Sequence, residues 1–160
     1  MKHSSYDPSC GICHSNAGEE ESAGGVIFEN DLWLIRHTGA PFPLAGWLLL
    51  QPQRHVQGPA RFNDAEATNF GPALRHFMRT LEEVTGAERS YVVAYGESVP
   101  HMHAHIIPRY ADLPAPDVAW GLADRFRAIG DGTREGIPEA DVMTVIEAYR
   151  AALAESPPPS

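Results

Sequence analysis

Apolar positions change period several times along this chain, and each change marks an element. Val26, Ile27 and Phe28, a polar break at Glu29-Asn30-Asp31, and then Leu32, Trp33, Leu34 and Ile35 predict a β-hairpin. Residues 38–46 carry Gly and Pro and read as loop. Trp47 to Leu50 is an unbroken apolar run, as in a buried strand, and Pro52 closes it. From Asn63 to Gly86 the period becomes helical, with Phe70, Leu74, Phe77, Met78, Leu81 and Val84 on one face. Asn63 and Glu66 have capping-box spacing, and Gly86 suits the helix end. That stripe is core. Ser90 to Tyr95 reads as a strand, Gly96 to Pro100 as a turn, and His101 to Ile107 as a strand stopped by Pro108. A Pro-rich loop covers 111–117. Leu122–Ile129 and Glu139–Leu153 read as helices, the second with Val142, Val145, Ile146 and Tyr149 on one face. No repeat or domain boundary is visible, so residues 1–155 are expected to form one domain and 156–160 a disordered tail.

The strand at His101 carries the most chemistry. Side chains alternate faces along a strand, so His101, His103 and His105 share one face and Met102, Ala104 and Ile106 the other. A row of imidazoles supplies nucleophiles, proton carriers or metal ligands. The competing reading is a His-rich surface strand, against which Ile106 and Ile107 argue for burial.

Length and charge bound the answer loosely. The 160 residues suffice for one cored domain. A net charge of −9 argues against a nucleic-acid scaffold, which would show a basic stripe. A small anionic ligand stays open, because local donors override global charge. No stretch reads as a signal peptide or membrane span, and the expectation is a cytoplasmic protein with no membrane partner.

The two cysteines, Cys10 and Cys13, form a Cys-x-x-Cys pair followed by His14. A redox motif needs a strand before it and a helix after it, and neither flank fits. A haem-attachment reading matches literally but needs export. Half of a zinc site, completed from far along the chain, is the third reading, and two free thiols in a loose arm the fourth.

The run His101 to Ile107, with His-φ-His-φ-His-φ-φ spacing, resembles the signature of the histidine-triad family. Leu48 to His55 is similar to that family's strand ending in Pro-Lys-x-His, and a long helix lies between the two. Cys10-x-x-Cys13 resembles the N-terminus of a zinc-bearing bacterial branch. The likeness runs from about Cys10 to Tyr110. It implies an α+β fold, a mainly antiparallel sheet with packed helices, in a homodimer that hydrolyses or transfers nucleotidyl groups. By position, His103 matches the nucleophile that forms a phosphohistidine-nucleotide intermediate, and His105 a phosphate-contacting histidine. Ser98 matches a phosphate-binding serine. Cys10, Cys13, His55 and His101 match the zinc ligands. Glu97 and Arg109 complete the candidate substrate contacts, although Arg109 suits a surface ion pair equally well.

Departures gather on the substrate side. Gly46-Trp47 stands where the family has Gly-His, so a polar partner of the triad is expected to be missing. Gly96-Glu97-Ser98 stands for Gly-Gln-Ser, and an ionised Glu97 repels phosphate where glutamine donates to it. By ungapped count the ribose-binding acid falls at Gly39. Three functions therefore stay open: a nucleotidyl hydrolase or transferase working through His103, a diverged metalloenzyme for a small non-nucleotide substrate, and a metal-stabilised nucleotide-binding module. His14, His37 and His76 read as ordinary histidines, and Trp120 as a packing residue in preference to a wall of the pocket.

Overall fold

The computed structural model describes residues 2–20 and 22–159. Five strands, β1 (Phe28–Glu29), β2 (Trp33–His37), β3 (Leu48–Pro52), β4 (Arg89–Val93) and β5 (Ala104–Arg109), form one sheet in the order β1-β2-β3-β5-β4. Every neighbouring pair is antiparallel. The β1–β2 turn is made by Asn30, whose side-chain oxygen accepts from the Leu32 and Trp33 amides at 3.0 and 2.7 Å. Register follows, with Phe28 opposite Ile35 and Leu50 opposite both Ile35 and Ala104.

The four α-helices are α1 (Gly11–Asn16), α2 (Asp64–Thr85), α3 (Gly121–Gly130) and α4 (Glu139–Glu155). Alternation along the strands sorts them by face. Trp33, Ile35, Leu48, Leu50, Ala104 and Ile106 pack into one core with Phe77 and Leu81 of α2 and Val142, Ile146 and Tyr149 of α4. On the opposite face a smaller cluster joins Leu44, Trp47 and Ile107 to Leu122 of α3. There α1 is fixed at its end, where the buried Arg36 guanidinium donates to the Ser15 carbonyl and Asn16 donates to the Pro52 carbonyl at 3.2 Å. Between α1 and α3 lie His105 on β5 and His103 just before that strand begins. Among the described residues no helix is long and apolar enough to cross a membrane.

The capping box forms, with Asn63 and Glu66 exchanging two 2.9 Å bonds. Glu66 also receives a two-pronged contact from Arg54, at 2.9 and 2.6 Å. Burial opposes the Glu66 charge, but Arg54 and the Asn63 amide outweigh it and hold the carboxyl below its usual range. Arg54 precedes His55, so this joint ties the start of α2 to a candidate ligand. Gly86 adopts φ 68° at the helix end, as its position demanded.

Three expectations change. The last strand starts at Ala104, not His101, because the Met102 amide leaves the ladder to donate to the Val56 carbonyl at 2.7 Å. Pro108 lies inside β5 opposite Ser90; β3 pairs β5 only as far as Ile106, so proline sits where β5 has a neighbour on one side alone. The tail expected to be disordered lies along α2 over residues 156–159. Pro158 is buried, Asn69 donates to the Pro159 carbonyl at 2.9 Å, and the His76 ring bonds the Ser156 carbonyl at 2.8 Å.

Replacing Glu66 with alanine removes half of the capping box and strips Arg54 of its partner. Urea denaturation should show a loss of about 1–3 kcal/mol. An unchanged midpoint would mean that neither contact matters.

Candidate metal centre and histidine site

Cys10 caps α1 and Cys13 lies one turn inside it, so both thiols face the same way. His55 comes from the loop after β3 and His101 from the approach to β5. One donor atom from each of the four falls within 4.8 Å of the others. The His101 Nδ1 is 3.6 Å from Cys10 Sγ and 3.5 Å from Cys13 Sγ; the His55 Nδ1 is 3.3 Å from Cys13 Sγ. Sulfur–nitrogen edges of about 3.5 Å are what a tetrahedron with ordinary zinc–ligand bonds requires.

The outer atoms are anchored too. His101 Nε2 donates to the Pro52 carbonyl at 3.1 Å, which leaves Nδ1 as the lone-pair nitrogen facing the thiols. His55 Nε2 faces the Asp7 carboxylate at 4.0 Å, its amide donates to Ser5 Oγ at 2.8 Å, and the Asp7 amide points at Cys13 Sγ at 3.4 Å. Burial pushes the His101 imidazole down to about 4 and so favours the neutral, ligating form. Burial also pushes the Cys13 thiol up, a cost that a cation would reverse.

His103 comes next. Its Nδ1 lies 2.8 Å from the His101 carbonyl. A carbonyl only accepts, so Nδ1 carries the proton and Nε2 keeps a free lone pair. The His105 ring is 5.5 Å away, centre to centre. Trp47 Nε1 donates to His105 Nδ1 at 2.9 Å, which leaves Nε2–H of His105 as a donor. Trp47 was expected to cost the triad a polar partner; the indole supplies one instead. Burial, and then nearby His103, push His105 down to about 4. The site thus pairs one free lone pair with one aimed N–H, both fixed by hydrogen bonds at the far ring nitrogen.

The other candidates divide. Ser98 lines a cavity beside His105, whereas Glu97 is exposed and outside that lining, where solvent screens its charge. Arg109 is withdrawn as a phosphate ligand. Its guanidinium is paired with Glu88 at 2.7 Å, and six residues of extended chain, roughly 20 Å, separate it from His103. One contributor escaped the sequence reading. Arg36 clamps α1, and its only signal was a basic residue in a run of buried positions. Trp120 is 82% exposed over the cavity rather than packed.

At pH 7, Trp47→Phe should let the His105 tautomers mix, read by ¹⁵N chemical shifts. A bond to the neutral ring lowers a histidine pKa, so the variant's His105 should titrate above the parent's value of about 4. Because the folded value lies below 6.5, His105 adds stability above pH 6.5 that is lost as pH falls toward 4. The variant should show less of that acid loss. Unaltered shifts and titration would remove Trp47 from this role.

Comparison with known proteins assigns the fold and the family. The HIT domain family matches residues 19–112, a span that contains His55 and the three histidines of the triad but neither cysteine. An asymmetrical bis(5'-nucleosyl)-tetraphosphatase of Schizosaccharomyces pombe is 34% identical over 88 residues, 51% of this chain and 48% of the relative. The match thus spans about half of that relative's length. Among solved structures, a zinc-bound histidine triad family protein from Mycobacterium smegmatis superposes with a TM-score of 0.66 at 18% identity, covering 92% of this chain and 94% of that one. A hypothetical histidine triad nucleotide-binding protein from Sulfolobus tokodaii gives 0.67 at 15% identity, covering 91% and 93%. The chain belongs to the HIT, or histidine-triad, family.

Proposed function

We propose that the protein is a nucleotidyl hydrolase or transferase acting on a nucleoside phosphate ester, anhydride or phosphoramidate, with His103 as nucleophile. The observation that carries this is the His101 carbonyl on His103 Nδ1, which leaves Nε2 as the attacking atom. Nε2 adds to the phosphorus, the bond from phosphorus to the leaving oxygen or nitrogen breaks as that atom takes a proton from solvent, and a phosphohistidine-nucleotide remains. The charge that forms on the imidazole is shared through Nδ1–H with the His101 carbonyl. Water or an acceptor then attacks the phosphorus and frees Nε2. His105 Nε2–H donates to a phosphoryl oxygen as negative charge grows there. Ser98, on the cavity wall, is the remaining phosphate contact.

Cys10, Cys13, His55 and His101 hold zinc in this reading. Two thiolates and two imidazoles make a closed set with no open position, so the ion's chemistry is structural: it fixes His101, and through it the orientation of His103. Support comes from the donor distances and from the zinc-bound relative of the same fold. The reading also includes a homodimer in the cytoplasm.

Two pairs of measurements test it. Intact mass after brief incubation with AMP phosphoramidates should show a nucleotidyl adduct on His103, and His103→Ala should lose about 10³-fold or more in turnover while still folding. Full activity in that variant excludes the nucleophile. Elemental analysis should find one zinc per chain, and Cys13→Ser should lose the metal and several kcal/mol of stability. Metal-free protein of undiminished stability would exclude the zinc clamp.

A further inference from the structure

Asp7 touches three of the four residues in the Cys₂His₂ cluster. Its amide points at Cys13 Sγ at 3.4 Å, and its carbonyl accepts from the Cys10 amide at 3.1 Å. One carboxylate oxygen, Oδ2, faces His55 Nε2 at 4.0 Å. The other, Oδ1, is already taken: it accepts from the Ser9 amide at 2.8 Å and from the Ser9 hydroxyl at 2.7 Å. Ser9 thereby fixes the carboxylate and leaves Oδ2 to the imidazole. A loose carboxylate beside an exposed ring contributes little, because ordering two side chains offsets most of the attraction. Here the turn from Asp7 to Ser9 does part of that ordering.

The two ends of the His55 ring face different surroundings. Nδ1 lies 3.3 Å from Cys13 Sγ, inside the cluster, and Nε2 looks outward at Asp7. His101 is divided the same way, with Nδ1 toward the sulfurs and Nε2 on the Pro52 carbonyl. The outer partners are unlike. Pro52 offers a neutral oxygen to a fully buried ring, whereas Asp7 brings a full charge to a side chain that is 20% exposed. Both cysteines are buried, so the cluster opens to solvent at His55, and Asp7 stands on that side. The chain leading to it lies against the same histidine: the His55 amide donates to Ser5 Oγ at 2.8 Å, and that hydroxyl bonds the His3 ring at 2.8 Å.

We propose that Asp7 is a positioning residue of the metal centre: its carboxylate takes the outward N–H of His55, aims the lone pair of Nδ1 at the ion, and slows the ion's escape through the open side. The inference rests on the reading of Cys10, Cys13, His55 and His101 as a zinc site and deepens it. A cation on Nδ1 draws density from the ring and makes Nε2–H a stronger donor; a carboxylate on that N–H returns density to the ligating nitrogen. Two thiolates balance a divalent cation by themselves. The Asp7 charge is surplus to that balance, and it sits where the ion would leave.

The test measures zinc binding on the full chain. Asp7→Asn keeps the side chain's size and an oxygen for Ser9 but deletes the charge. Zinc affinity in chelator competition should fall about 10–100-fold, with release to excess chelator faster by a similar factor. Imidazole ¹⁵N spectra of the zinc-loaded chain should show the His55 Nε2–H signal shifted and its exchange with water hastened, while the His101 signal stays in place. That readout separates Asp7 from a residue that merely shapes the N-terminal arm, which would disturb both rings or neither. Ser9→Ala frees the carboxylate without removing it and should fall between the parent and Asp7→Asn. Unchanged affinity and release in Asp7→Asn overturn the proposal, and so does a loss of affinity in which the His55 signal does not move. If Asp7→Asn fails to fold, Ser9→Ala decides by the same two readouts, and no change in either overturns the proposal. A parent chain that binds no zinc excludes the centre and this role together. A parent that binds zinc tightly, with Asp7→Asn its equal, excludes the role of Asp7 alone.

Discussion

A fully buried imidazole cannot turn to water, so every polar atom of His101 must be answered by protein. Its Nε2 meets the Pro52 carbonyl, its Nδ1 meets two sulfurs, and its own carbonyl receives the His103 ring. The residue therefore joins two assemblies. On one side it closes the Cys₂His₂ cluster that seats α1, and on the other it sets the tautomer of the candidate nucleophile. A shift of His101 by even half an ångström would disturb both. This is why the strand ladder gives way here: His101 to His103 trade sheet pairing for contacts that fix their rings.

The sheet gives its two faces different work. One packs apolar side chains against α2 and α4 without interruption. The other is bracketed by α1 and α3, and the strip between them is left for His103 and His105. The brackets differ in character. α1 is pinned by sulfur, imidazole and a buried guanidinium, whereas α3 offers aromatic rings and a preceding turn locked by Asp117 through Arg125 and Arg134. Polar anchoring on one flank and apolar enclosure on the other give the site its direction.

Local rules made much of this visible in the sequence. The capping box at Asn63 and Glu66, the glycine end of α2, and the buried strand begun by Trp47 and Leu48 are all set by near neighbours, and each formed. The cluster of Cys10, Cys13, His55 and His101 was legible through resemblance, because Cys-x-x-Cys suggests a ligand pair without naming its partners. What failed were statements about company. Trp47 read as a lost hydrogen bond because its partner, His105, lies 58 positions away. Arg109 stayed open between a phosphate contact and a surface ion pair because Glu88, just before the neighbouring strand, was out of view. The Pro-rich tail read as disordered because Asn69 and His76, which hold it, show only as two polar residues on a helix. A side chain's type is local, but the atom that satisfies it is often not.

The cluster also orders events in time. Cys10 and His101 stand 91 positions apart, so the two thiols leave the ribosome long before their imidazole partners exist. Until then they are an adjacent dithiol on an unanchored arm, open to oxidation. A disulfide formed in that interval would take both sulfurs out of the four-residue cluster and leave α1 without that tether. The loop to be closed spans more than half the chain, and its entropy is recovered only when the sheet already holds His55 and His101 in place. The thiol corner of the N-terminal helix is thus secured only after the sheet has brought His55 and His101 together, and an oxidised pair would leave the helix to Arg36 and Asn16 alone.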